Sequence, residues 1–148
     1  MDENLGSVMG QVSRLIRRSF DERARAIGIT RPQWQVLSIL SRNSGINQGC
    51  LAEILEVEPI TAGRMIDRLQ DAKLVERHPD PTDRRAWRLH LTSAGEQLVE
   101  QLHPLAIETL AVALDGINKA EQEQLRNTLD RIRTNLTRYS HAEATSNG

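Results

Sequence analysis

The sequence predicts a mainly α protein with one small β-hairpin, a winged helix-turn-helix held between long N- and C-terminal helices. Three observations predict it. Apolar residues recur at three- and four-residue steps through most of the 148 residues. A short helix, a tight turn and a longer helix occupy residues 47–72, with Pro59 opening the second helix. Two short alternating runs then flank a Pro-Asp-Pro turn, which is hairpin patterning.

In the first helix Leu5, Val8, Met9, Val12, Leu15, Ile16, Phe20 and Ile27 form an amphipathic stripe of roughly six turns, and Gly28 ends it. Thr30-Arg31-Pro32-Gln33 reads as a capping box with proline tolerated in the first turn. Trp34, Val36, Leu37 and Leu40 supply the apolar face of the second helix, and Asn43-Ser44-Gly45 breaks it. The third helix starts near Asn47 and carries Leu51, Ala52, Ile54 and Leu55. The fourth runs from Pro59 to about Ala72 with Ile60, Met65, Ile66 and Leu69, and Glu58 is a poor N-cap for it.

Leu74–His78 is expected as a strand, Pro79–Asp83 as its turn, and Trp87, Leu89 and Leu91 as the returning strand. Ser93-Ala94-Gly95-Glu96 reads as a second capping box. The fifth helix contains Leu98, Leu102 and Leu105, with Pro104 expected to kink it. Asn118 with Glu121 caps the last helix, where Leu125, Leu129, Ile132, Leu136 and Tyr139 repeat in 4-3-4-3 steps. From about His141 the chain reads as frayed.

Composition sets limits. Apolar residues make up 39% of the chain, with one Phe, one Tyr and two Trp, so any core is aliphatic and part of it has room to be completed by a partner chain. The single cysteine, Cys50, forms no intrachain disulfide and fits a reducing compartment. Without a leader or a long apolar run, the chain is expected to be soluble and cytoplasmic, with no membrane partner. Net charge is −1, but it is polarised. Residues 1–45 hold seven Lys/Arg against four Asp/Glu, and residues 61–95 seven against five, whereas residues 96–148 hold five against eight. Distribution matters more to binding than the sum.

In a helix-turn-helix the second helix enters the major groove by its N-terminal residues. Thr61, Ala62, Arg64 and Arg68 are placed on the face away from Met65, Ile66 and Leu69. The small residues suit a thymine methyl and Arg64 suits guanine. A buried helix pair with solvated arginines fits the same pattern. The hairpin tip, Asp83-Arg84-Arg85, favours DNA: adjacent arginines on a protruding ribbon suit phosphates or a narrow minor groove, with Asp83 steadying the Arg85 guanidinium.

Taken together, Leu51-Ala52-Glu53-Ile54-Leu55, Thr61, Asp67-Arg68-Leu69, Leu74-Val75-Glu76-Arg77, Asp80-Pro81-Thr82-Asp83-Arg84-Arg85-Ala86 and Leu91-Thr92 resemble the MarR family in its SlyA-like branch. The Thr30–Leu37 segment with Trp34 is similar too. The resemblance implies a homodimeric transcription regulator, a repressor, on pseudo-palindromic double-stranded DNA. Thr61, Ala62 and Arg64 would then face the major groove, and Arg85 the minor groove. Lys73 departs from the pattern, standing where the family usually has a helix-ending glycine. Residues 1–30 and 93–140 would form the dimerisation region, residues 31–92 the DNA-binding region of one intertwined domain, and residues 141–148 a disordered tail. The 4-3 repeat of the last helix fits that interface, and it equally fits packing on the chain's own first helix.

Many relatives release DNA when a small aromatic acid binds. The positions this implies here are Arg14, Arg17, Trp34 and Met65. Core packing of Trp34 and Met65 with solvated arginines is the other reading. Some relatives sense oxidants through a cysteine early in the first helix. Cys50 lies elsewhere, in the third helix, where a buried, inert thiol is expected. No enzyme is expected: His78, His90, His103 and His141 have no metal-ligand spacing, and no phosphate loop or nucleophile elbow appears. No cofactor is implied. The competing class is a winged-helix protein-interaction module, which predicts a neutralised wing. Arg64, Arg84 and Arg85 oppose it.

Overall fold

The computed structural model describes residues 3–146, the last eight by backbone alone. The order is α1 (Leu5–Ala26), α2 (Arg31–Arg42), α3 (Gln48–Leu55), α4 (Pro59–Asp71), β1 (Val75–Pro79), β2 (Trp87–Leu91), α5 (Ser93–Ala113) and α6 (Lys119–Ser146). This is a mainly helical winged helix-turn-helix. The chain divides into two compact units, residues 1–110 and 111–148.

In the first unit, Val36, Leu37, Ile39 and Leu40 of α2 pack with Leu51, Ile66, Leu69, Val75 and Leu89, so one aliphatic core joins α2, α3, α4 and the hairpin. A second cluster holds Phe20 and Ala24 of α1, Ile29 and Leu102 of α5, with Trp34 against it. Trp34 meets Phe20 edge-on with ring centroids 4.7 Å apart.

The helix ends follow local chemistry. Asn4, Asn47 and Asn118 accept from the backbone N–H groups of Ser7, Cys50 and Glu121, and Thr30 and Gln33 form the expected reciprocal box. Three helices end on a left-handed residue whose neighbours close the last turn. At α4, Leu74 N–H donates to the Leu69 carbonyl and Lys73 N–H to that of Gln70. Lys73 therefore takes φ +61°, as a non-glycine ending this helix requires. Glu56 does the same after α3, and Gly28 after α1.

Four expectations change. The cap of α5 is Thr92, whose hydroxyl accepts from Gly95 N–H at 3.0 Å, and Ser93 is already helical. The strand β1 includes Pro79, paired with Trp87, because β1 is an edge strand and a missing donor is tolerated there. The helix α6 continues to Ser146 rather than fraying at His141; residues 147–148 lie outside those described. Cys50 is exposed, not buried, because it sits opposite the α3 residues Leu51 and Ala52 that enter the core. In α6, Leu125 and Leu129 are exposed and Ile132 half-buried, while the Tyr139 side chain lies outside the description. No described helix is long and apolar enough to cross a membrane.

Candidate nucleic-acid interface

The turn between α3 and α4 is fixed by backbone chemistry. Val57 N–H donates to the Ala52 carbonyl at 3.0 Å, and the Glu58 carbonyl accepts from Thr61 and Ala62. With α4 so placed, Ala62, Ile66 and Leu69 are buried, and Thr61, Arg64 and Arg68 are exposed. Ala62 thus cannot face a groove as expected: it lies four and seven residues before Ile66 and Leu69, on the same core-facing side. Ile60, unassigned by sequence reasoning, is 69% exposed on the outward face. Among the described residues, Arg64 and Arg68 make no ion pair or side-chain hydrogen bond within the chain.

Arg77 of β1 holds α4 from behind. Its guanidinium donates to the Gly63 carbonyl at 3.2 Å, Gln70 Oε1 at 2.7 Å and Gln48 Oε1 at 3.3 Å, and pairs with Asp67 at 2.7 Å. One side chain therefore links hairpin, α3 and α4. Gly63 leaves room for this: a Cβ there would lie 2.9 Å from Gln48 Nε2. The sequence shows Arg77 as part of a motif, but nothing in it gives this four-way role.

The wing is organised by Asp80, another residue without an expected role. Its Oδ1 accepts from Thr82 N–H at 2.9 Å, Thr82 Oγ1 at 2.8 Å and Asp83 N–H at 3.3 Å. Its Oδ2 accepts from Arg88 Nε at 3.2 Å. The Thr82 backbone N–H first, then its hydroxyl and Arg88, hold the Asp80 carboxyl down at about 2. Asp83 Oδ1 accepts from the backbone N–H of Arg85 at 2.9 Å. The expected contact with the Arg85 guanidinium is absent, because a carboxylate two residues back in a turn reaches the nearer backbone donor. Arg84 and Arg85 are exposed, with no side-chain partner among the described residues.

β2 is anchored on its other edge. Leu89 N–H donates to the Ile46 carbonyl at 2.9 Å, and Gly45 N–H to that of Leu89 at 3.0 Å. His78 and His90, distant in sequence, stack with centroids 4.5 Å apart. The described residues contain no group of three or more His, Cys, Asp or Glu that could hold a metal ion.

The four expected ligand residues do not converge. Arg17 and Trp34 line one cavity of about 540 Å³, together with Ser38, Arg42, Leu102 and His103. Arg14 lines a neighbouring groove with Arg17, Arg18 and Arg31, and Met65 lies beside Thr30, Pro32 and Arg68. Helix geometry separates them: Arg14 is exposed on α1, and Met65 lies on α4. Trp34 is committed through its indole N–H, which donates to Asp21 Oδ1 at 2.7 Å. Arg31 grips Asp21 Oδ2 through Nε at 2.6 Å and through Nη2. Burial works to raise the Asp21 carboxyl, but the hydrogen bonds from Arg31 and Trp34 outweigh it and hold the group below its usual range.

Residues 29–87 match the model of the MarR family. Apo wild-type MarR from E. coli superposes with a TM-score of 0.80 at 27% identity, over 89% of this chain and 98% of that one. The transcriptional regulator SlyA gives 0.77 at 26% identity, over 92% and 96%. A cysteine-to-serine MarR variant from E. coli, complexed with operator DNA, gives 0.73 at 28% identity, over 86% and 92%. The matched segment covers the helix-turn-helix and most of the wing, and the architecture around it is shared over nearly the whole length of these structures, so residues 29–87 match the MarR family and the chain as a whole is similar to MarR and SlyA transcriptional regulators.

Proposed function

We propose that this protein is a sequence-specific DNA-binding repressor that acts as a homodimer on a pseudo-palindromic duplex and is released by a small aromatic carboxylate. The observation that carries the reading is the set of uncommitted arginines on one braced scaffold. Arg64 and Arg68 lie on a helix tied through Arg77 to the hairpin that presents Arg84 and Arg85. Helix and ribbon are suited to the major groove and to phosphates or a narrow minor groove. The operator complex of the similar MarR structure supports the same partner.

Residues 31–92 are the DNA-binding region in this reading, and residues 1–30 and 93–140 the dimerisation region. Leu5, Val8, Val12 and Leu15 on α1 are exposed on one stripe, and so are Leu125 and Leu129 on α6. Apolar stripes of this kind are suited to a second copy. The cavity beside Trp34 supports the ligand: it is largely apolar in lining, with Arg17 and Arg42 available to a carboxylate.

The test is a salt titration of binding to a duplex enriched by site selection. Specific affinity is expected to fall steeply with salt. Arg85→Ala should weaken binding roughly tenfold and reduce the slope by about 0.9 per lost phosphate contact. Benzoate should weaken DNA binding in the intact protein and lose that effect in Arg17→Ala. A chain that ignores duplex DNA at low salt overturns the reading.

A further inference from the structure

Ile60 stands apart from the rest of the recognition helix. At 69% exposure it is the most exposed large apolar side chain among the described residues, and it belongs to neither core cluster. Its position is the second residue of α4, directly after Pro59. At 100° per residue it projects opposite Ala62, Ile66 and Leu69, one turn before Arg64. Apart from Pro59, which opens the helix, the other exposed residues of α4 are Thr61, Arg64, Asp67, Arg68, Gln70 and Asp71, all polar. An isoleucine left in water amid polar neighbours gains nothing for the folded chain, since burying it against any apolar surface is favourable.

In the major groove the apolar feature of the base edges is the thymine C5-methyl. We infer that Ile60 reads a thymine methyl, and that it does so at the end of α4 where Ala62 cannot, Ala62 being buried. The side chain then sets specificity: its branched end excludes water from the methyl, and Arg64, about 6 Å further along the helix, is left to hydrogen-bond a neighbouring base. This rests on the DNA-binding reading above and adds to it the residue and the base feature recognised.

The experiment uses the full-length protein and its selected duplex, with each thymine replaced in turn by deoxyuridine, which removes only the methyl. Wild type should lose roughly fourfold in affinity at one thymine per half-site, the worth of one buried methyl-sized group. Ile60→Ala should bind the unmodified duplex more weakly by at least that factor and show no further loss at that thymine. Ile60→Val should fall between the two. Because Ile60 is exposed, both variants should melt with wild type; if the alanine variant does not, the valine variant carries the comparison. Full retention of the deoxyuridine penalty by the variants, or the absence of any sensitive thymine, overturns the inference while leaving DNA binding intact. Failure of wild type to bind any duplex overturns the DNA-binding reading, and this inference with it.

Discussion

The winged helix and the terminal helices place their leucines in opposite surroundings. In the winged helix Leu37, Leu40, Leu51 and Leu89 are almost wholly buried, and the polar ties of Arg77 and Asp80 close on groups of the same region. On α1 the residues Leu5, Val12 and Leu15 are 67%, 47% and 56% exposed, and on α6 Leu125 and Leu129 are similarly open. The first region carries its own core. The second carries apolar surface of the same chemical kind with much of it left in water, the surface that the proposed second copy would cover.

Leucine truncations break this comparison most directly. Leu37→Ala should cost about 3 kcal/mol in urea denaturation, whatever the protein concentration, because it opens a cavity inside one chain. Leu129→Ala should cost little in concentrated solution and progressively more on dilution, with sedimentation showing the loss of dimer. A concentration-independent loss at Leu129 would remove the distinction. Next in size is Arg77→Ala, expected to cost about 2 kcal/mol by leaving the Gly63 carbonyl and Asp67 without their donor. DNA affinity should fall with it, and Arg77→Lys should rescue little, since one ammonium cannot span carbonyl, amide and carboxylate at once.

Within the winged helix the wing sharpens the contrast, since its order is polar. The depressed Asp80 carboxylate contributes order that is complete above the ordinary aspartate range, near 4, and is lost as pH falls through about 2. The Thr82 amide resonance should therefore titrate with a midpoint near that lower value, and Asp80→Asn should blur the wing while hardly moving the melting temperature. The smallest effect is expected at Lys73. Its φ of +61° is unfavourable for a side chain, so Lys73→Gly should stabilise by about 0.5 kcal/mol in thermal unfolding, net of glycine's greater unfolded-state entropy.

Most of the architecture was legible because it rests on local rules. Helix stripes, the Thr30–Gln33 box, the Pro59 start and the turn chemistry each depend on neighbours within one or two turns. Errors arose where the decision was made at longer range or on a single helix face. The exposed Cys50 and the buried Ala62 follow from which side of a short helix meets the core, and a one-residue rotation settles that. Arg77 and Asp80 were visible as motif letters, but their roles depend on α3, α4 and β2 converging, and no spacing in the sequence encodes that convergence. The four ligand positions separated for the same reason: Trp34 is spoken for by Asp21, ten residues before Arg31 in the chain.

The Thr92 hydroxyl has a mechanical consequence. It donates to the Lys73 carbonyl at 2.7 Å and accepts from Gly95 N–H at 3.0 Å, so the exit of α4, the end of β2 and the entry of α5 are riveted at one oxygen. Gly95 allows no slack, since a Cβ there would fall 2.2 Å from the Leu74 carbonyl oxygen. A joint this tight transmits rotation. Helix α4 extends roughly 20 Å from it, so a tilt of about 5° delivered through α5 swings the far end by roughly 2 Å. That displacement exceeds what a hydrogen bond tolerates, so any contact made by the far end of α4 is sensitive to torque at the rivet.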